Sequence, residues 1–457
     1  MTGQTYTEGL AAFIAGVRYE DIPPAVLGHA KLMILDSVGC GLLGAGLPWS
    51  VRLRAALAGV EAPGDVSVWG TGTKLSAPSA ALANGTAVHG FELDDVGVGG
   101  HNGSVVLTAG LGLAEHRGGV TGQELLTAVV AGVETASRVQ NCLGRAPHVK
   151  MGFHGPSVIG TFAATAAASR VLGLSGEQVT HALGHAGQQT AGLMAVQHGG
   201  MGKRLLAGKA AQSGTLAVVL AAAGFTNVRD IFECEYGGFC SAFSGGQRTY
   251  KLEELVSGLG TRWDTPGVNF KMWACRVPIH PALEALRELQ REHGVRAEQV
   301  ARIRVWLDEG AYKAVGFAWE PTTVTSAQMN LQYCAAQLLL EGDVFVDQFT
   351  DAKLAAPAVL DMVRRVETIY DPELDALGHF QRQERVEVEL KDGGILQTVG
   401  MTRGGPENPI GPADVIEKFR KIGRRCLSST IQDEFLSLYD RVETLPDVTP
   451  LIALLRV

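Results

Sequence analysis

Paired cysteines are missing from this chain. Its seven cysteines, Cys40, Cys142, Cys234, Cys240, Cys275, Cys334 and Cys426, form no CxxC spacing. That excludes the common zinc and dithiol motifs, and an odd, dispersed set reads as reduced intracellular thiols. Positive charge is also scarce: the formal net charge is -8, with no basic stripe to attract nucleic acid. A few local lysines and arginines can still bind a small anion in an acidic protein. No basic and apolar leader opens the chain, and its longest apolar run, 214–225, is too short to cross a bilayer. These shortages predict a soluble cytoplasmic protein without nucleic-acid or membrane partners.

Several catalytic signatures are lacking too. No GxSxG elbow occurs, and Ser157 in His154-Gly-Pro-Ser157 reads as a helix-start residue. Gly70-Thr-Gly-Thr-Lys74 has neither the ending nor the context of a phosphate loop. His181 and His185 share a helical face, but without a glutamate after the first or a third ligand they read as structural. No metal site is expected.

What the chain does have is small residues and length. Its 457 residues, 46% of them hydrophobic and 58 of them glycine, suit two or three globular domains with closely approaching helices. From about 8 to 230 the apolar spacing is helical, with helices expected over 26–43, 78–91, 122–143, 156–172 and 208–223. Pro156 fits a first helical turn and leaves His154 on the loop before it. Beyond about 260 the pattern changes. Arg302–Leu307 and Arg385–Leu390 alternate with period two, and Lys391-Asp-Gly-Gly394 reads as a hairpin turn before Ile395. Helical segments over 281–293 and 326–341 complete a smaller α+β domain. Helical pattern returns over 412–427 and 431–455. The expected domains are 1–262, 263–404 and 405–457.

Chemistry concentrates in His89-Gly-Phe-Glu-Leu-Asp-Asp-Val-Gly-Val-Gly-Gly-His-Asn-Gly-Ser104. Three carboxylates (Glu92, Asp94, Asp95) and two imidazoles in a glycine-rich stretch suit proton transfer at carbon. Gly199-Gly-Met-Gly-Lys-Arg204, at the entry to a helix, could hold a carboxylate with backbone amides and Lys203. Asn269-Phe-Lys271 with Arg276 and His280 is a second cationic cluster. Two such clusters and the His/Asp loop would make a cleft for a small polycarboxylate.

These motifs resemble the MmgE/PrpD family, whose members include 2-methylcitrate dehydratase, cis-aconitate decarboxylase and iminodisuccinate epimerase. The resemblance rests on Ala30-Lys-Leu-Met-Ile-Leu-Asp-Ser37, Glu92-Leu-Asp-Asp95 with His101, Gly152-Phe-His154, Gly199–Arg204 leading to Gly208–Gly214, Phe270-Lys271, Trp273-Ala-Cys275 and Gln328–Tyr333. Leu47-Pro-Trp-Ser50 and Tyr236-Gly-Gly-Phe239 look most like the fungal cis-aconitate decarboxylase branch. The resemblance implies a mainly α fold: a large all-helical domain built from both chain ends, with an inserted smaller α+β lid. It also implies a homodimer, no cofactor, and a cleft where His101, His154 and Lys203 meet Lys271 and Tyr333. Val96 departs from the hydroxyl residue that usually follows the Asp pair, and Asn-Gly follows His101.

The family's reactions pass through or near a carbanion beside a carboxylate. On that reading His101 moves the proton, and Glu92 and Asp95 orient the imidazole or the loop. Lys203, Lys271 and Arg276 bind carboxylates, while His154 and Tyr333 supply hydrogen bonds. Decarboxylation is the first expectation, dehydration or epimerisation the alternatives. A carboxylate-binding protein of the same fold without catalysis is the rival class.

Overall fold

The computed structural model describes residues 3–144, 146–198, 200–377, 383–404 and 408–456. It is mainly α. The chain forms two units: the first takes residues up to Gly90, then Asp94–Phe270 and Pro412 onward; the second takes Phe91–Leu93 and Lys271–Gly411.

In the first unit the helices follow from local signals. Pro24 opens α1 (Pro24–Ala45) and Pro78 lies in the first turn of α2 (Ala77–Val88), where a missing N–H costs nothing. A capping box of Thr121 and Glu124 starts α3 (Gly122–Leu143). Pro156 opens α4 (Gly155–Leu172), with His154 as its N-cap. Next come α5 (Gly202–Ala222) and, from the chain's return, α6 (Pro412–Cys426). Helix α5 packs on α2 and α4, α3 on α4, and α1 on α2 and α6. Alanine and glycine line these faces, so backbones approach closely. Helices α1 and α5 are long and apolar enough to span a membrane, but α1 is almost wholly buried among its neighbours.

Three expectations need correction. The first unit is not all-helical: Val66–Ser67 and Lys74–Leu75 form a short antiparallel ribbon, tied down where Asn84 bonds the Ser67 carbonyl and the Trp69 N–H. Residues 263–270 belong to the first unit rather than the second. Glu134 accepts the Asp264 and Thr265 amides, Arg138 pairs with Asp264 at 2.7 Å, and Asn269 forms a β-bridge with Val96. Likewise 408–411 goes with the second unit, and α6 begins the return.

The second unit carries a sheet in the order β2-β1-β3-β4, from β1 (Val300–Leu307), β2 (Val366–Tyr370), β3 (Gln383–Leu390) and β4 (Ile395–Met401). The β1–β2 pair is parallel and the other two are antiparallel. The hairpin at 391–394 joins β3 to β4, as its Asp-Gly-Gly predicts. Helix His280–His293 packs on β3 and β4. The expected helix over 326–341 is broken into Val324–Gln328 and Leu331–Glu341. Asn330 is extended there, and its side chain caps the Tyr333 N–H at 2.8 Å, so local capping overrides the continuous apolar period.

Candidate active site

The loop after α2 gathers the first unit's acid–base groups. His89 follows the last residue of α2, and Asp94 Oδ2 lies 3.0 Å from Nδ1 of His89 and 3.0 Å from Nδ1 of His101. The same His101 Nδ1 is 2.9 Å from the Asp95 carbonyl. Both neighbours are acceptors, so Nδ1 of His101 carries hydrogen and Nε2 is the atom left for chemistry. The rings of His89 and His101 meet edge to face, 4.4 Å between centroids. Only the His101 side chain reaches solvent, with 13% exposed, while His89 and Asp94 are sealed.

Burial pulls His89 down to about 4, with His101 and Lys203 acting the same way and Asp94 opposing. His89 is therefore neutral at pH 7 and donates Nδ1–H to Asp94. One carboxylate thus lies against both imidazoles: it accepts Nδ1–H of His89 and sits 3.0 Å from Nδ1 of His101, whose hydrogen bond goes to the Asp95 carbonyl. The three side chains place ligand-type atoms within 4.8 Å of one another. The trio is an acid–base arrangement.

The loop between Asp95 and His101 is set by backbone. Val96 bridges Asn269, and Gly97 bridges Gly100. Gly100 has φ 127°, and a Cβ there would lie 2.6 Å from Pro156. Glycine therefore allows the loop to press His101 against the start of α4, where His154 sits. His154 Nδ1 is 2.7 Å from the hydroxyl of Ser157, which is buried. Ser157 orients that imidazole, a positioning role beyond the helix-start reading. After His101 the chain makes a π-helical turn, Gly103–Leu107, a distortion found often at functional sites.

Lys203 lies in the first turn of α5, half-buried and close enough to affect His89. A lysine at a helix N-terminus is suited to an anion. Its neighbour Arg204 is buried, with its guanidinium over Trp49 at 5.3 Å. Gly199 of this motif lies outside the described residues. The first unit thus gathers His101 and His89 on Asp94 with Lys203 close to His89, while His154 caps α4, whose Pro156 lies against Gly100.

Other assignments change. The carboxylate beside His101 is that of Asp94, while Asp95 orients the ring through its backbone carbonyl and the loop through its side chain. Asp95 is fully buried and its carboxylate accepts the Gly103 N–H at 2.9 Å and 3.0 Å. In the second unit Glu92 pairs with Lys271 at 3.3 Å, both buried. Glu92 has φ 55°, a left-handed conformation that costs a non-glycine residue roughly 1–3 kcal/mol. Lys271 therefore already holds a carboxylate of its own unit. The half-buried Arg276 donates to the Ala314 carbonyl at 3.2 Å.

Tyr333 is a core residue, not a substrate ligand. It is completely buried, its hydroxyl donates to the Gln348 carbonyl at 2.7 Å, and it accepts from Gln337 at 2.8 Å. Leu331–Glu341 is an apolar helix, and Tyr333 lies on its buried side. Tyr333→Phe is expected to leave kcat/KM within about twofold. Two hydrogen bonds are lost, so denaturant titration should show about 1–3 kcal/mol less stability. A tenfold fall in kcat/KM with unchanged stability would return Tyr333 to the site. His181 and His185 are structural, as expected: they bond the carbonyls of Asn227 and Phe225 at 2.8 Å and 2.9 Å.

Two family models match this chain, the MmgE/PrpD N-terminal domain over residues 8–251 and the MmgE/PrpD C-terminal domain over 273–444. The chain belongs to the MmgE/PrpD family. It is 35% identical to the cis-aconitate decarboxylase-like protein oryM of Aspergillus oryzae, over 98% of this chain and 97% of that protein. It is 31% identical to cis-aconitate decarboxylase of Aspergillus terreus, over 98% and 95%. Likeness to the mitochondrial 2-methylcitrate dehydratase of Yarrowia lipolytica is weaker, 22% over 81% and 74%.

Proposed function

We propose that this protein is a lyase that decarboxylates cis-aconitate without a metal or organic cofactor. The observation that carries the reading is His101, whose Nδ1–H is bonded by the Asp95 carbonyl beside the Asp94 carboxylate, while the ring keeps some contact with solvent. The full-length likeness to cis-aconitate decarboxylases supports the choice of substrate.

Loss of CO2 from the carboxylate on the saturated CH2 beside the double bond turns the C–C bonding pair into a new CH2=C double bond and moves the old double bond's pair onto the carbon next to the far carboxylate, as an enediolate. Positive charge near that acid stabilises the developing enediolate, and Lys203 at the head of α5 supplies it. His101 then delivers a proton from Nε2 to carbon, while Asp94 holds the imidazolium that must form before each transfer. His154, oriented by Ser157, contributes a hydrogen bond to a substrate carboxylate. The products are CO2 and a five-carbon unsaturated dicarboxylate.

The test is a panel of cis-aconitate, 2-methylcitrate and related acids, read by mass spectrometry. Loss of CO2 from cis-aconitate is expected. Loss of water from 2-methylcitrate alone would make the protein a dehydratase, and saturable binding without turnover would make it a carboxylate-binding protein. Lys203→Ala is expected to lower kcat/KM by about 10- to 100-fold, the size of a lost charge-assisted contact. An unchanged kcat/KM removes Lys203 from the site.

We further propose a cytoplasmic homodimer. All seven cysteines are carried as thiols, which suits a reducing compartment. Leu205, Leu216 and Val219 expose apolar side chains along α5, and Phe225 beyond it is 63% exposed; this stripe is the proposed face for the second copy.

A further inference from the structure

Beneath His101 the first unit buries a ladder of ionisable groups that the proposed chemistry does not use. Lys418 on α6 is 2% exposed, and its ammonium lies 2.5 Å from Oδ1 of Asp36 on α1, itself sealed. One residue on, Ser37 backs directly onto Gly103: a Cβ on Gly103 would lie 1.9 Å from the Ser37 hydroxyl. The Gly103 N–H is the donor to the Asp95 carboxylate. Asp94, next in the chain, lies against both imidazoles. The ladder therefore runs from Lys418 and Asp36 through the Ser37–Gly103 contact and Asp95 to Asp94 and His101.

Three buried carboxylates share one buried ammonium along this path. The charged and titratable groups facing them are Asp36 and Cys40 from α1, Lys418 from α6, His89 and His101 from the loop, and Lys203 from α5. Burial, then Asp94 and Asp36, hold the Asp95 carboxyl well above the usual range, against the Gly103 N–H and Lys418. Burial works against the Lys418 ammonium, but Asp36, with Cys40 and Asp94 beyond it, raises its proton affinity above that of an ordinary lysine. A buried ion pair is an expensive way to join two helices, since apolar side chains of similar size often hold as well.

We propose that Lys418, acting with Asp36, is a positioning residue for the acid–base histidine: their buried ion pair sets the field along the ladder, through Asp95 and Asp94, in which the His101 imidazole works. The proposal rests on the reading of His101 as the proton-transfer group. The sign of its consequences is fixed. Removing a buried positive charge raises every proton affinity along the ladder, and removing a buried negative charge lowers it, whether His101 serves as acid or base.

Lys418→Met, Asp36→Asn and the double variant test this in the full-length protein. The primary readout is the His101 imidazole titration by NMR on protein labelled in its histidines, assigned by difference from His101→Gln. The midpoint is expected to move up in Lys418→Met and down in Asp36→Asn, each by about 0.5–1 pH unit for a unit charge at this depth. The pH profile of kcat should move the same way, with KM within about twofold because neither residue reaches substrate. Should Lys418→Met fail to fold, the cycle still reads its charge, because the double variant replaces the pair by two neutral side chains. Its midpoint is expected above that of Asp36→Asn. Midpoints within about 0.2 unit of one another, or single variants that both shift in one direction, would overturn the proposal. The NMR readout needs no turnover, so the ladder can fail while the lyase stands, and the lyase can fail while the ladder stands.

Discussion

His101→Ala lowers kcat by at least about a hundredfold, the usual contribution of a general acid–base group. The effect should fall on kcat more than on KM, since the proton is moved in the transition state. The side chain is mostly buried and stacked on His89, so truncation also leaves a cavity and costs roughly 1–3 kcal/mol of stability. His101→Gln separates the two effects: it keeps most of the volume, should restore the melting temperature, and should stay as inactive as the alanine variant. A variant that keeps more than about a tenth of the wild-type rate shows that another group moves the proton.

Asp94→Asn should be nearly as severe, with kcat down about 10²–10⁴-fold. An amide is neutral, so it cannot hold the imidazolium that forms before proton delivery. Because Asp94 also accepts from neutral His89, the amide must choose which ring to serve, and His101 loses its counter-charge. Glu92→Gln offers the contrast. Its carboxylate serves Lys271, so the rate should fall far less. Equal losses in the two variants would mean that the arrangement around Asp94 has no special role.

The sequence made the helical character of the chain plain, because small-residue periodicity, prolines in first turns and the Thr121–Glu124 box are local signals. The β3–β4 hairpin was equally legible from Asp-Gly-Gly. Less legible was the partner of each carboxylate. Glu92, Asp94 and Asp95 lie within four residues, and spacing alone does not say that Glu92 turns into a left-handed conformation to meet Lys271. Nor does it say that Asp94 lies between His89 and His101. Tyr333 misled because a hydroxyl in a family motif looks functional, while its burial depends on the break at Asn330. Asp36 and Lys418 did carry a faint signal. Lys418 interrupts the buried stripe Val415, Phe419 and Ile422 on α6, and Asp36 interrupts the buried run around Leu35 and Val38 on α1. A charge at a core position of an amphipathic helix asks for a partner, but 382 residues separate these two.

The central claim is that His101 protonates carbon after CO2 leaves. Incubation with cis-aconitate in deuterated water, followed by mass spectrometry and NMR of the product, tests it most directly. The account predicts release of CO2 and a five-carbon dicarboxylate with one deuterium on carbon, formed by the wild type and not by His101→Gln. Water loss or addition without CO2, or unchanged deuterium incorporation in His101→Gln, would contradict it.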